Sequence, residues 1–209
     1  MRPQTLLMTV CALTTIVVPN GGAQVSTGPS PLAVSSVTVT IEGTSKRAPF
    51  FASTKTVRVT RVQLAAPRSE NVLQQALRPG GIEAFDVAIP VITLTSPDEG
   101  VDNHIHDSLN ADAHPEIIFH LRSIRDTSDD AMGFVHLSAE GTLTVNGVDR
   151  AVTLNVKVLR AGRSLLVDGS TDLRMTEFGV KPPKGLLGLL RTDPLIHVRF
   201  YLIVTAADG

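Results

Sequence analysis

The side chains best suited to chemistry crowd between residues 102 and 114, where His104, His106 and His114 are interleaved with Asp102, Asp107 and Asp112. Imidazoles and carboxylates together are ordinary zinc ligands. Their spacing argues against a shared ion. Pro97 to Ala111 reads as a helix, because Asp98, Glu99 and Asp102 place negative charge in a first turn, where the helix dipole favours it. Val101, Ile105 and Leu109 give that helix a modest apolar face. Positions two apart on a helix point about 200° away from each other, so His104 and His106 do not face one ion. His120, His136 and His197 fall opposite apolar neighbours and are expected to face solvent. No metal site is expected.

Nucleophilic chemistry finds no better support. Ser164 and Ser170 lack the glycine-flanked elbow that exposes a nucleophile, and no spacing ties a serine to a base and an orienting acid. Asp129 and Asp130 resemble a carboxylate pair, but they end the polar stretch from Asp126, which reads as a hairpin loop. No glycine-rich phosphate loop or dinucleotide fingerprint precedes a helix. The expectation is a protein that is not an enzyme and carries no cofactor. Cys11 is the only cysteine, and it lies within the segment expected to be removed, leaving no thiol for a disulfide, a metal or catalysis.

That segment is residues 1–23, which read as a signal peptide: Arg2 supplies a positive charge, Leu6 to Val18 an apolar run, and Gly21-Gly22-Ala23 small residues before a cut. The apolar run is shorter than the roughly 20 residues of a membrane-spanning helix, and no second run of that length follows. The expectation is a periplasmic or secreted protein with no transmembrane segment after leader removal. With Arg2 gone, 18 Lys plus Arg face 20 Asp plus Glu, a net charge of about −2. Without a basic excess there is no electrostatic footprint for nucleic acid. Tyr201 is the only tyrosine and tryptophan is absent, so no stacking platform for bases is evident either.

What organises the rest of the chain is a period of two. Residues 24–35 read as a flexible linker and 36–206 as one domain. Within it Val37, Val39 and Ile41 alternate with polar residues, as do Val57 and Val59, and Phe85, Val87, Ile89 and Val91. The second half continues with Ile117, Phe119 and Leu121, then Val135, Leu137, Ala139, Leu143 and Val145, then Val152, Leu154, Val156 and Val158. Leu165, Val167 and Leu173, and finally Val198, Phe200, Leu202 and Val204, complete eight rows. Eight half-buried strands with turns such as Asn146-Gly147 describe an antiparallel sheet folded around one interior. Ser69 to Leu77 reads as a short helical turn, ended by Pro79-Gly80-Gly81, and Lys181 to Arg191 as a third helical segment.

Four motifs in order carry a family resemblance: Glu42-Gly-Thr-Ser45; His104 through Phe119; Gly141-Thr-Leu-Thr-Val-Asn-Gly-Val-Asp-Arg-Ala-Val-Thr-Leu154; and Met175-Thr-Glu-Phe-Gly-Val-Lys-Pro-Pro183. Together they resemble the YceI-like family from about Val37 to Thr205. The resemblance implies an all-β fold, an extended eight-stranded antiparallel lipocalin-like barrel with two or three short helices, in an extracytoplasmic protein that holds a polyisoprenoid or similar lipid. Ala48-Pro-Phe50 departs from it, standing where many relatives carry tryptophan.

A barrel of eight strands either fills with its own side chains or encloses one small ligand, and the sequence leaves both open. If a slot exists, its candidate lining comes from the apolar rows: Phe119, Leu121, Val135, Leu137, Ala139, Gly141, Leu143, Val145, Leu154, Val156, Val167, Phe200 and Leu202. For each of these the plainer role is core packing. Gly141, Ala139 and Gly169 are small and face inward, where they leave room, although a strand glycine also marks a bend. Leu186, Leu187 and Leu190 form either a plug or a lid touching a bound chain, with Lys181 and Lys184 as candidate headgroup contacts. The expected partner is an apolar lipid or isoprenoid ligand of polyisoprenoid, prenol or quinone type, and a homodimer is compatible with the sequence. The competing expectation is a side-chain-filled barrel acting as an extracytoplasmic interaction or stress-related module.

Overall fold

Alternation of apolar and polar residues turns successive side chains to opposite faces of a strand, so one face can be buried while the other stays wet. Among the described residues, nine segments do this. The computed structural model describes residues 30–45, 49–66, 71–97, 99–180 and 192–207. The expected leader, most of the expected linker and the Lys181 to Arg191 segment lie outside them.

The strands are β1 (Leu32–Ser45), β2 (Pro49–Thr54), β3 (Arg58–Leu64), β4 (Ile82–Pro90), β5 (Glu116–Asp129), β6 (Phe134–Val145), β7 (Val148–Ala161), β8 (Ser164–Arg174) and β9 (Thr192–Ala206). They form one antiparallel sheet in the order β2-β1-β9-β8-β7-β6-β5-β4-β3. β3 to β9 make a meander, and β1 returns to pair with β9 from Leu32 opposite Ala206 to Ser45 opposite Thr192. β2 and β3 occupy opposite edges of the sheet, yet only Lys55-Thr56-Val57 separates them. A chain spans at most roughly 14 Å between Thr54 and Arg58, so the two edges are held close and the sheet has to curl around itself. The longer strands make the curl an elongated one: β5 and β7 each have 14 residues, about 46 Å at roughly 3.3 Å per residue.

The ninth strand corrects the expectation of eight. β2 has only two apolar inward positions, Phe50 and Ala52, its third being the buried polar Thr54, and it begins with a proline that cannot donate to a ladder, so its apolar periodicity is too short to read. Its open edge is met at Ser53, which exchanges backbone hydrogen bonds of 2.8 and 3.0 Å with Thr95. At the other edge β3 presents Arg58 and Arg61, charges of the kind that discourage edge-to-edge association, and Arg58 ion-pairs with Glu116.

Two boundaries also move. The linker expected to reach residue 35 gives way earlier, since Leu32 already belongs to β1 and is 4% exposed. The polar stretch from Asp126 was expected to be loop, but 126–129 remain in β5. A bulge between Arg125 and Ser128, with Asp126 at φ 53°, absorbs the irregularity without ending the ladder. The turn falls at 130–133 instead. There Asp130 Oδ1 accepts hydrogen bonds from the amides of Met132 and Phe134, both at 2.9 Å, an arrangement in which the side chain stands in for backbone.

Among the described residues two helices and two 3₁₀ turns flank the sheet. α1 (Val72–Ala76) starts where Asn71 Oδ1 accepts from the Gln74 amide at 3.0 Å. It is tied to the end of β3 by buried Gln75, whose Nε2 donates to the Ala65 carbonyl at 2.6 Å. α2 (Glu99–Ser108) lies at the opposite end, where His106 Nε2 is 2.9 Å from the carbonyl oxygen of Leu94. Val91, expected as the last residue of a strand row, instead opens a 3₁₀ turn (Val91–Thr93) behind Pro90; the other such turn is Met175–Phe178. Most of the buried apolar side chains gather in two clusters, one under α1 with Val135, Leu137 and Val158, the other under α2 with Leu94, Ile117, Val145 and Phe178.

Candidate functional site

β9 shows how the interior is built. Its residues Val204, Leu202, Phe200, Val198 and Ile196 step two at a time along one face, and they line three successive cavities in that order. The first cavity, at the α1 end, has a volume of about 130 Å³. The central one is about 150 Å³. The third, at the α2 end, is about 90 Å³. Other strands repeat the progression: on β8, Leu165 and Val167 face the first cavity, Thr171 and Leu173 the second, and Leu173 and Met175, just past the strand, the third. The cavities therefore stand in file along the length of the strands.

Of the residues expected to line a slot, Phe119, Leu121, Leu137, Ala139, Leu154, Val156, Val167, Phe200 and Leu202 face the α1-end cavity. Phe119, Leu154, Phe200 and Leu202 also face the central one, together with Leu143. Val145 faces the third. Val135 is packed away from the cavities, 0% exposed in the core beneath α1. Gly141 is buried too, and a phenylalanine ring occupies the room it leaves. The five candidate residues between Lys181 and Leu190 lie outside the described residues.

Several lining residues were not among the expected set. Phe85, Val87 and Ile89 of β4 border the central cavity and were legible as an apolar row. Ala76 and Leu77 at the α1 turn, and Ile105 of α2 with Leu109 just after it, close the two ends. Their own spacing shows an apolar helix face but carries no sign of which mouth it covers.

The lining is almost without polarity. Its only polar side chains among the described residues are Thr171 in the central cavity and Ser108 in the third. The Thr171 hydroxyl is already engaged, donating to the Thr153 carbonyl at 3.0 Å. Charge is kept on the outer face, where three histidines expected to face solvent each meet an aspartate: His120 with Asp86 at 3.1 Å, His136 with Asp130 at 2.8 Å, and His197 with Asp172 at 2.6 Å. The hydrogen bond from His136, with those from the turn amides, holds the Asp130 carboxyl below its ordinary range. The Ser123 hydroxyl and the Arg125 guanidinium do the same for Glu140. Among the described residues no three histidine, aspartate or glutamate side chains converge as a metal-binding group.

A family model of the YceI-like domain matches residues 33–202. The chain belongs to the YceI-like family. Solved structures share the fold of this YceI-like chain at low identity. A polyisoprenoid binding domain from Saccharophagus degradans, implicated in plant cell wall breakdown, is 9% identical, with 85% of this chain and 99% of that one covered and a TM-score of 0.63. BcnA of Burkholderia cenocepacia is 18% identical, with 80% and 95% covered and a TM-score of 0.59. No curated protein matches the chain by sequence. In this YceI-like chain Phe50 borders the α2-end cavity, and its ring lies over Gly43 of β1, where a Cβ would stand 2.3 Å away.

Proposed function

We propose that this protein is an exported, non-catalytic carrier that holds an apolar chain of polyisoprenoid, prenol or quinone type along the axis of its barrel. The observation that carries this reading is the file of three cavities whose walls offer two hydroxyls and no charged group among the described residues. Each chamber is smaller than the roughly 300–1,000 Å³ typical of small-molecule pockets. A thin chain threaded through successive chambers suits that geometry better than a compact ligand. Such a chain needs no hydrogen bond: burying each methylene is worth about 0.8 kcal/mol, so one isoprene unit supplies about 4 kcal/mol.

The accessibility of the walls favours a carrier over a barrel filled by side chains. Phe85, Phe119, Leu154, Phe200 and Leu202 face inward, yet they are only half-buried, whereas interior residues of a filled core pack at crystal-like density. The polyisoprenoid-binding domain that shares this fold adds support. Export rests on the leader-like residues 1–23.

Mass spectrometry of lipids that copurify with the full chain, expressed with its leader in a bacterial host, tests both parts. The expected result is a stoichiometric prenyl lipid on protein recovered outside the cytoplasm and cut near residue 23. A chain that carries no lipid and binds no added prenol or quinone overturns the carrier reading, and retention in the cytoplasm overturns export.

A further inference from the structure

The α1-end and central cavities adjoin at the five residues that line both, Phe85, Phe119, Leu154, Phe200 and Leu202, a junction we call the waist. Two of the three aromatic rings there rest on glycines of a neighbouring strand. Phe200 is directly opposite Gly169 in the β8–β9 ladder. A Cβ placed at residue 169 would stand 2.0, 2.4 and 2.7 Å from three atoms of the Phe200 ring, and those are its three nearest neighbours. Carbon atoms in contact stay roughly 3.5–4.0 Å apart. The ring can therefore lie flat on the barrel wall only because residue 169 has no side chain. Phe119 lies over Gly141 in the same way, with a would-be Cβ 2.4 Å from its ring.

A side chain at residue 169 would lift the Phe200 ring away from the wall. Behind the ring is the sheet, and in front of it is the slot, so the displaced ring would enter the bore. We propose that the Phe200–Gly169 pair, with Phe119–Gly141 beside it, sets the bore of the waist and selects chains long and thin enough to pass through it from one chamber to the next. This rests on the reading of the slot as an isoprenoid site. A chain stopped at the waist forfeits the burial of every methylene that would have occupied the far chamber, so the pair controls chain length.

Gly169→Ala is the cleaner probe, since the three atoms nearest its Cβ all belong to the far end of one side chain, while one at Gly141 would also stand 2.6 Å from the His120 carbonyl oxygen. The full chain, freed of lipid, is titrated with geraniol as a short prenol and solanesol as a long one, and thermal unfolding reports the fold. In Gly169→Ala, solanesol is expected to bind about a thousandfold more weakly, the loss of one isoprene unit's burial, and geraniol within about twofold of wild type. Adding Phe200→Leu to that variant is expected to restore solanesol. If wild type binds both prenols and Gly169→Ala changes neither, or both alike, the waist proposal is overturned while the slot stands. If wild type binds neither, the isoprenoid reading itself falls. Should Gly169→Ala not fold, Phe200→Leu alone decides: it is expected to gain about tenfold for retinol, whose ring is wider than a prenyl chain, and no gain overturns the proposal.

Discussion

Phe119 on β5 covers Gly141 on β6 from a diagonal position, since the residues directly opposite them are Leu143 and Leu121. Diagonal neighbours across an antiparallel pair are within reach of an aromatic side chain. The contact is so close that Gly141 is constrained from two sides, by the ring at 2.4 Å and by the His120 carbonyl oxygen at 2.6 Å from a would-be Cβ. The ring can turn aside; the carbonyl belongs to the ladder. Gly141→Ala is therefore expected to destabilise the fold by about 1–3 kcal/mol, read as a lower urea midpoint. An unchanged midpoint would show that the β5–β6 ladder yields freely.

The hairpin between β6 and β7 offers a second test. Asn146 and Gly147 both have positive φ, 51° and 72°, as a two-residue turn with the strands' own twist requires. Gly147 also lies against the His114 ring, which a Cβ would approach to 2.5 Å. Gly147→Ala should lower stability by about 1–3 kcal/mol through backbone strain and this overlap. Asn146→Ala should cost less, losing the 3.3 Å hydrogen bond to the Phe178 carbonyl along with the residue type suited to that φ. Equilibrium denaturation that ranks the two variants the other way would contradict this account.

Leu154 borders both larger cavities and carries no structural duty to a polar partner. Placing a carboxylate there puts an unpaired charge in a wall that has none among the described residues. Leu154→Asp is expected to lose its copurified prenyl lipid, whereas Leu154→Met, which keeps volume and polarity, should retain most of it. Mass spectrometry of the two preparations, with circular dichroism to check the fold, decides. Equal lipid in both would place the ligand elsewhere.

Asp130 gives a pH-dependent prediction whose sign follows from its environment. The folded protein holds this carboxyl below its ordinary value, first through His136 and then through the amides of Phe134 and Met132. A depressed acid binds protons less readily when folded than when unfolded, so its stabilising effect is complete above the ordinary carboxylate range. That effect fades as pH falls through the ordinary value towards the lowered one. The stability difference between wild type and Asp130→Asn should thus be largest at neutral pH and shrink in strong acid. A difference that stays constant across that range would mean the turn does not depend on the charge.

The strand rows show how far local pattern reaches. The alternation of β6 points Val135, Leu137, Ala139 and Gly141 inward and His136 outward, and the burial of the strand agrees. β2 is not legible because two apolar inward residues followed by a threonine do not establish a period, and the end of β5 is not legible because a run of polar residues does not stop a backbone ladder. The roles of Gly141 and Gly169 were only half visible. The sequence shows both as small residues facing inward, but the rings of Phe119 and Phe200 fill the room beside them.

By itself the sequence determined the family, the two-residue period, and hence which side of most strands is apolar, since side-chain direction in a strand is fixed by the parity of position. Tertiary structure alone decided that β2 and β3, neighbours in the chain, become opposite edges of a nine-stranded sheet, and that α1 and α2 cover different ends. It also decided that Phe200 meets Gly169, 31 positions away, because β9 happens to pair with β8 in that register. Periodicity is set by bonds within one strand, whereas the width of a slot is set by side chains that meet across strands.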